Sequence, residues 1–161
     1  MNFGDTVKDE RVGIFDIEDV DNLILRLVYH TLQSLPKERR FSLLQEMIEK
    51  TNSVSTNALI IGNLLEESKE YAEKKSSREP LLDETTLNML KPLLVERFKK
   101  AAEDSTLLKT KHSLYVLFRW KEWGSENDVT TFIDRTVESK KGLVELLPTF
   151  VSQIFFNCRQ L

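Results

Sequence analysis

Two tryptophans three positions apart, Trp120 and Trp123, close the run LYVLFRWKEWG beside Arg119, Lys121 and Glu122. Rings and a guanidinium at that spacing can share a helix face. They suit one of two tasks: packing at a core edge, or anchoring a partner, since tryptophan and arginine carry a large share of interface binding energy. Helical phase sets Val116, Trp120 and Trp123 on one side. Leu114, Leu117 and Phe118 fill the neighbouring arc, and Arg119, Lys121 and Glu122 the remainder. So wide an apolar arc predicts a central packing helix, with Trp120 as core anchor and Trp123 at its edge, open to a partner.

The strongest local charge asymmetry surrounds this run. Residues 91–121 hold Lys91, Arg97, Lys99, Lys100, Lys109, Lys111, Arg119 and Lys121 against Glu96, Glu103 and Asp104, eight cations to three acids, a local excess of +5. With Tyr115, Trp120 and Trp123 nearby, cations could hold phosphates while rings stack bases. No nucleic-acid motif accompanies the segment, so it reads first as the outer face of helices that offset acidic helices elsewhere, and nucleic acid is not the expected partner. Lys99, Lys100, Arg119 and Trp123 are the candidate partner-binding residues.

Other chemistry finds no pattern. The five glycines are isolated and none precedes a Lys-Ser or Lys-Thr pair, so the chain carries no phosphate-cradling loop. His30 and His112 are far apart in sequence and fit neither an HExxH nor a CxxC arrangement. A triad of His30, Cys158 and an acid can be drawn in any protein with one cysteine and two histidines, and no local signature supports it. Carboxylate pairs such as Asp19 with Asp21 and Glu66 with Glu67 fall in charged helix ends, where solvation accounts for them. No catalytic, cofactor-binding or metal-binding residue is assigned, and no cofactor is expected.

The elements that must position these side chains are helical. Forty per cent hydrophobic and 30% charged residues over 161 positions suit one globular domain, and only five glycines and four prolines punctuate it. A net charge of -3 provides no overall field for nucleic acid or an anionic membrane. One cysteine excludes an internal disulfide, the N-terminus lacks an apolar signal region, and the run TNSVSTNALIIGNLL falls short of a membrane span. The expectation is a cytoplasmic protein that does not enter a membrane.

Residues 1–15 read as a loosely ordered lead-in, and 16–161 as a single all-α domain of about six to eight helices, either a bundle or a short solenoid-like stack. The first helix shows a stripe of Val20, Leu23, Ile24, Leu27, Thr31 and Leu35 behind an acidic first turn. Pro36 ends it and opens a second with Phe41, Leu44, Met47 and Ile48 on one face. A third, capped by Ser55, turns strongly charged over 66–80, where nine of the fourteen residues 66–79 carry charge. That stretch reads as a solvated helix end and loop, with a mobile tether as the alternative. Asp83 caps a fourth, which Pro92 must break near Met89–Lys91 or kink. A fifth runs from Lys109 to a left-handed stop at Gly124. Ser125 caps a sixth with Val129, Phe132, Ile133 and Val137 as its stripe, and a last helix from Gly142 is bent by Pro148.

The order FDIEDVDNLILRLVYHTLQSLPKERRFSLLQEMIEKTNSVS, a charged segment, then LFRWKEWGSENDV, a helix and an apolar tail resembles the helical C-terminal region of bacterial KAP-family P-loop NTPases over roughly residues 14–150. The resemblance implies a non-catalytic interaction or regulatory module that follows a nucleotide-binding core and transmits nucleotide state or binds a partner. The core itself is missing from these residues, so no Walker residue is carried over. The resemblance then implies a piece of a larger protein, with Met1 added ahead of it and VSQIFFNCRQL ending without a breaker. Its partner would be the NTPase core of the same or another chain, or a different protein. The alternative is a freestanding helical adaptor that binds an acidic partner or nucleic acid weakly through 91–121.

Overall fold

The computed structural model describes residues 17–139, and all regular structure in them is helical. Seven α-helices follow in order among the described residues: α1 (Ile17–Ser34), α2 (Lys37–Lys50), α3 (Val54–Ala72), α4 (Glu84–Asn88), α5 (Lys91–Glu103), α6 (Ser113–Trp123) and α7 (Glu126–Glu138), with a 3₁₀ turn at Leu107–Lys109. The expected lead-in, the expected last helix bent at Pro148, and Cys158 lie outside the described residues. The arrangement is a multi-helix bundle. The helices α3 and α5 form its centre: α3 touches α1, α2, α4, α5 and α6, and α5 touches α2, α3, α4, α6 and the 3₁₀ turn. One continuous core joins Leu32, Ile48, Ile61, Leu94, Phe98 and Trp120. No described helix is long and apolar enough to cross a membrane.

Local chemistry sets the boundaries. Asp83 accepts from the Thr86 backbone N–H at 2.7 Å and starts α4, and Ser125 accepts from Asp128 N–H and starts α7. At α3 the cap is Ser53, which receives the Thr56 N–H, while the expected cap Ser55 lies inside the first turn and is buried. Both serines satisfy the sequence rule for a cap, and tertiary burial of Val54 and Ser55 selects the earlier one. Pro92 breaks the chain as its missing N–H requires: α4 ends at Asn88, and α5 restarts at Lys91 with the proline in its first turn, where no donor is needed.

Three non-glycine residues adopt the left-handed conformation: Lys74 (φ 59°), Ser105 (φ 57°) and His112 (φ 59°). The first two terminate α3 and α5, where Lys75 N–H reaches Glu70 O at 2.8 Å and Thr106 N–H reaches Ala101 O at 2.9 Å, satisfying carbonyls left open by the helix end. Gly124, expected to be left-handed, has φ -122°. It serves as a close approach instead, since a Cβ there would lie 3.0 Å from Val95 Cγ1 and 3.1 Å from Trp120 Cδ1. The fifth expected helix likewise begins at Ser113 rather than Lys109, because the 3₁₀ turn and the left-handed His112 interrupt it.

The phase of three stripes also differs. In α1, Ile24 packs against the core as expected, but Leu23 and Leu27 are 49% and 60% exposed, and Leu25, Val28 and the fully buried Leu32 face the core in their place. The helix is apolar on two arcs, and packing against α3 chooses between them. In α7, Val129 is buried with Phe132 and Ile133 packed beside it, but Val137 is 48% exposed and Thr136 takes the inner position, its hydroxyl donating to Phe132 O at 2.8 Å. In α6, Phe118 is exposed. The charged stretch 66–80 divides: helix continues to Ala72, then a loop returns Leu81 and Leu82 to the core. Arg40 holds that return, donating to Leu81 O at 2.9 Å and to Leu32 O, at the end of α1, at 2.8 Å.

Candidate functional site

On α6, Tyr115, Phe118, Arg119, Glu122 and Trp123 recur at i, i+3, i+4, i+7 and i+8 and so occupy one face. The guanidinium of Arg119 is the hub. Its Nε donates to the Tyr115 hydroxyl at 2.9 Å and its Nη1 to Glu122 Oε2 at 2.6 Å. It lies 5.0 Å from the Tyr115 ring centre, 5.2 Å from Trp123 and 5.9 Å from Phe118, within cation–π range of all three. Burial works against its charge, but the bonds to Tyr115 and Glu122 outweigh that, and its pKa stands above the ordinary arginine value. Gly62 of α3 makes the arrangement possible, since a Cβ there would collide with the Tyr115 hydroxyl and lie 3.2 Å from Arg119 Nη2. Phe118, 61% exposed, is the face's outermost ring.

Trp120, one position from Arg119, is buried in the core. It is 3% exposed and stacks at a tilt of 43° on Phe132 of α7, ring centres 5.8 Å apart. Its indole N–H has no hydrogen-bond partner among the described residues. The core assignment of Trp120 and the edge position of Trp123 are therefore both observed, while Phe118, expected among the packing residues, belongs to the surface.

The four candidate binding residues do not form one cluster. Arg119 and Trp123 are in contact, as above. Lys99 lies on α5, 3.2 Å from Glu96 and 3.7 Å from Asp128 of α7. Lys100 is exposed and falls about 100° further round the same helix. Half of the basic segment is paired with acids: besides Lys99, Lys111 pairs with Asp21 at 3.2 Å, Lys121 with Glu126 at 3.1 Å and Arg119 with Glu122, while Arg97 donates to the backbone Thr51 O at 2.7 Å. Acids of α7 thus meet Lys99 of α5 and Lys121 of α6, and Asp21 of α1 meets Lys111 in the turn ahead of α6, pairings invisible in a linear count of charge.

Two further features were missed by sequence reasoning. His112 Nε2 lies 2.6 Å from Asp21 Oδ2, tying α1 to the start of α6 across 91 residues of chain. The partners carried a signal only in their types, since nothing in the spacing relates them. The second is a cleft of about 730 Å³ between the end of α5, the 3₁₀ turn and α7, lined by Phe132, Leu108 and Ala102 over the buried Trp120 and Leu107, with Lys99, Lys109, Asp128 and Arg135 also lining it. Among the described residues no three His, Cys, Asp or Glu side chains gather as a metal site, and His30 is exposed on α1. Comparison with protein-family models, curated proteins and solved structures gave no significant match.

Proposed function

We propose that this chain is a non-catalytic helical interaction module that docks a protein partner through the outward face of α6. The observation that carries the reading is the exposed Phe118 beside the Arg119–Trp123 stack. A ring held out to solvent, next to an arginine already fixed by Tyr115 and Glu122, offers aromatic area with little side-chain freedom left to lose on binding. The partner in this proposal is the nucleotide-binding core of a KAP-like P-loop NTPase, on the same chain or another. Support for that identity comes from the sequence pattern of residues 14–150 alone.

Capture with the wild-type chain from the cells of origin, against Phe118→Glu, tests the docking reading. A P-loop NTPase is expected in the wild-type capture and absent from the variant, whose circular dichroism should match the parent because the replaced ring is exposed. An equal yield of partner from both would sink the reading. The reading frame ahead of residue 1 tests the setting independently: the proposal requires GxxxxGK[ST] there or in the captured protein.

A further inference from the structure

We infer that the cleft between α5, the 3₁₀ turn and α7 is a second, separate binding site, and that it takes a small amphipathic carboxylate: an apolar body with one acidic group. Its volume of about 730 Å³ lies in the range of small-ligand pockets, on the order of 300–1,000 Å³. The floor is apolar: Phe132, Leu108 and Ala102 line it partly exposed. Behind them Leu107 and Trp120 are buried, and Trp120 stacks on Phe132, which holds that ring in place.

The edge selects the charge. Lys99, Lys109 and Arg135 meet Glu103 and Asp128 along the cleft, three cations to two acids. Asp128 is already engaged by Lys99 at 3.7 Å, and Lys99 is shared with Glu96. Lys109 and Arg135 share no ion pair with any described residue. Two unengaged cations over an apolar floor complement an anion whose body is hydrophobic. A guanidinium accepts a carboxylate with two parallel hydrogen bonds, and Thr131 sits one helical turn before Arg135 with its hydroxyl available at the same edge. A polyanion fits less well, because Asp128 and Glu103 would repel the charges that Lys109 and Arg135 do not meet.

Titration of the intact chain with 4-phenylbutyrate, and with its uncharged amide, tests the inference by calorimetry and amide-resonance shifts. The acid is expected to bind one to one with a Kd of about 1 mM or tighter, shifting resonances in Leu107–Lys109 and Thr131–Arg135. The amide should bind at least about tenfold more weakly. The pair Lys109→Glu and Arg135→Glu, both on exposed side chains, should cost the acid about tenfold or more without altering the amide. Thr131→Trp should block both probes. Phe118→Glu should change nothing here, so failure of this site and failure of the α6 docking face are told apart. Equal affinity for acid and amide, an acid affinity indifferent to charge reversal, or no saturable binding would each overturn it.

Discussion

Trp120 carries both a gain and a cost. Its rings fill the join between α6 and α7, yet its N–H is buried without an acceptor among the described residues. Truncation to alanine opens a cavity and should cost about 3–5 kcal/mol, a large part of the roughly 5–15 kcal/mol that holds a domain together. Trp120→Phe also loses volume, but it removes an unsatisfied donor that burdens the native state by about 1–3 kcal/mol. The two effects oppose, so the phenylalanine variant should lie within about 1.5 kcal/mol of the parent. Trp123→Ala should cost about 1–2 kcal/mol, since that side chain is only half-buried and its tie to Arg119 is worth about 0.5–1 kcal/mol. Urea melts followed by circular dichroism rank the three. A Trp120→Phe variant as unstable as Trp120→Ala would mean that the indole N–H is satisfied in solution.

At the scale of elements, the join between α1 and α3 has a pH limit. Tyr29 of α1 donates its hydroxyl to Glu67 of α3 at 2.7 Å, with the Arg78 guanidinium 4.6 Å from the ring centre. Burial, followed by the bond to Glu67 and its negative charge, pushes the phenol up from its ordinary 10.0 to about 12. The neutral phenol is thus favoured in the folded state. Its contribution is complete below the unfolded value of about 10 and is lost as pH rises from there through about 12. Stability measured across pH 9–12 should fall, and Tyr29→Phe, which has no proton to lose, should flatten that part of the curve. A slope unchanged in the variant would place the alkaline sensitivity elsewhere.

For the whole molecule the relevant quantity is how charge is distributed, and folding pairs four of the segment's eight cations with acids. Lys99, Lys111, Arg119 and Lys121 each face a carboxylate, and the net charge is -3. Binding to a nucleic-acid backbone grows with the number of phosphates neutralised, and paired lysines must first give up their partners. No retardation of duplex or single-stranded DNA is therefore expected in gel shift at physiological salt. A salt-sensitive shift removed by changing Lys99 and Lys100 together would promote the adaptor alternative over the docking module.

The sequence by itself determined the all-α class, the break at Pro92, the caps at Asp83 and Ser125, and the positions of Trp120 in the core and Trp123 at its edge. Each follows from neighbours within a turn or two: a missing N–H, a short polar side chain before an apolar run, a helical phase with one dominant arc. Tertiary structure decided the rest. Leu23 and Leu27 lie outside although their spacing suits an inner stripe, because α1 offers two apolar arcs and only contact with α3 selects one. Gly124 avoids the left-handed region while Lys74, Ser105 and His112 enter it, because carbonyls at the helix ends and the packing of Val95 set those angles more strongly than residue preference. The cleft and the Arg119 hub were equally hidden. Gly62 clears space for Tyr115 from 53 positions away, and Arg135 comes to the same cleft as Lys109 only when α7 folds back along α6. Such partners are joined by the three-dimensional path of the chain, and no local pattern encodes that path.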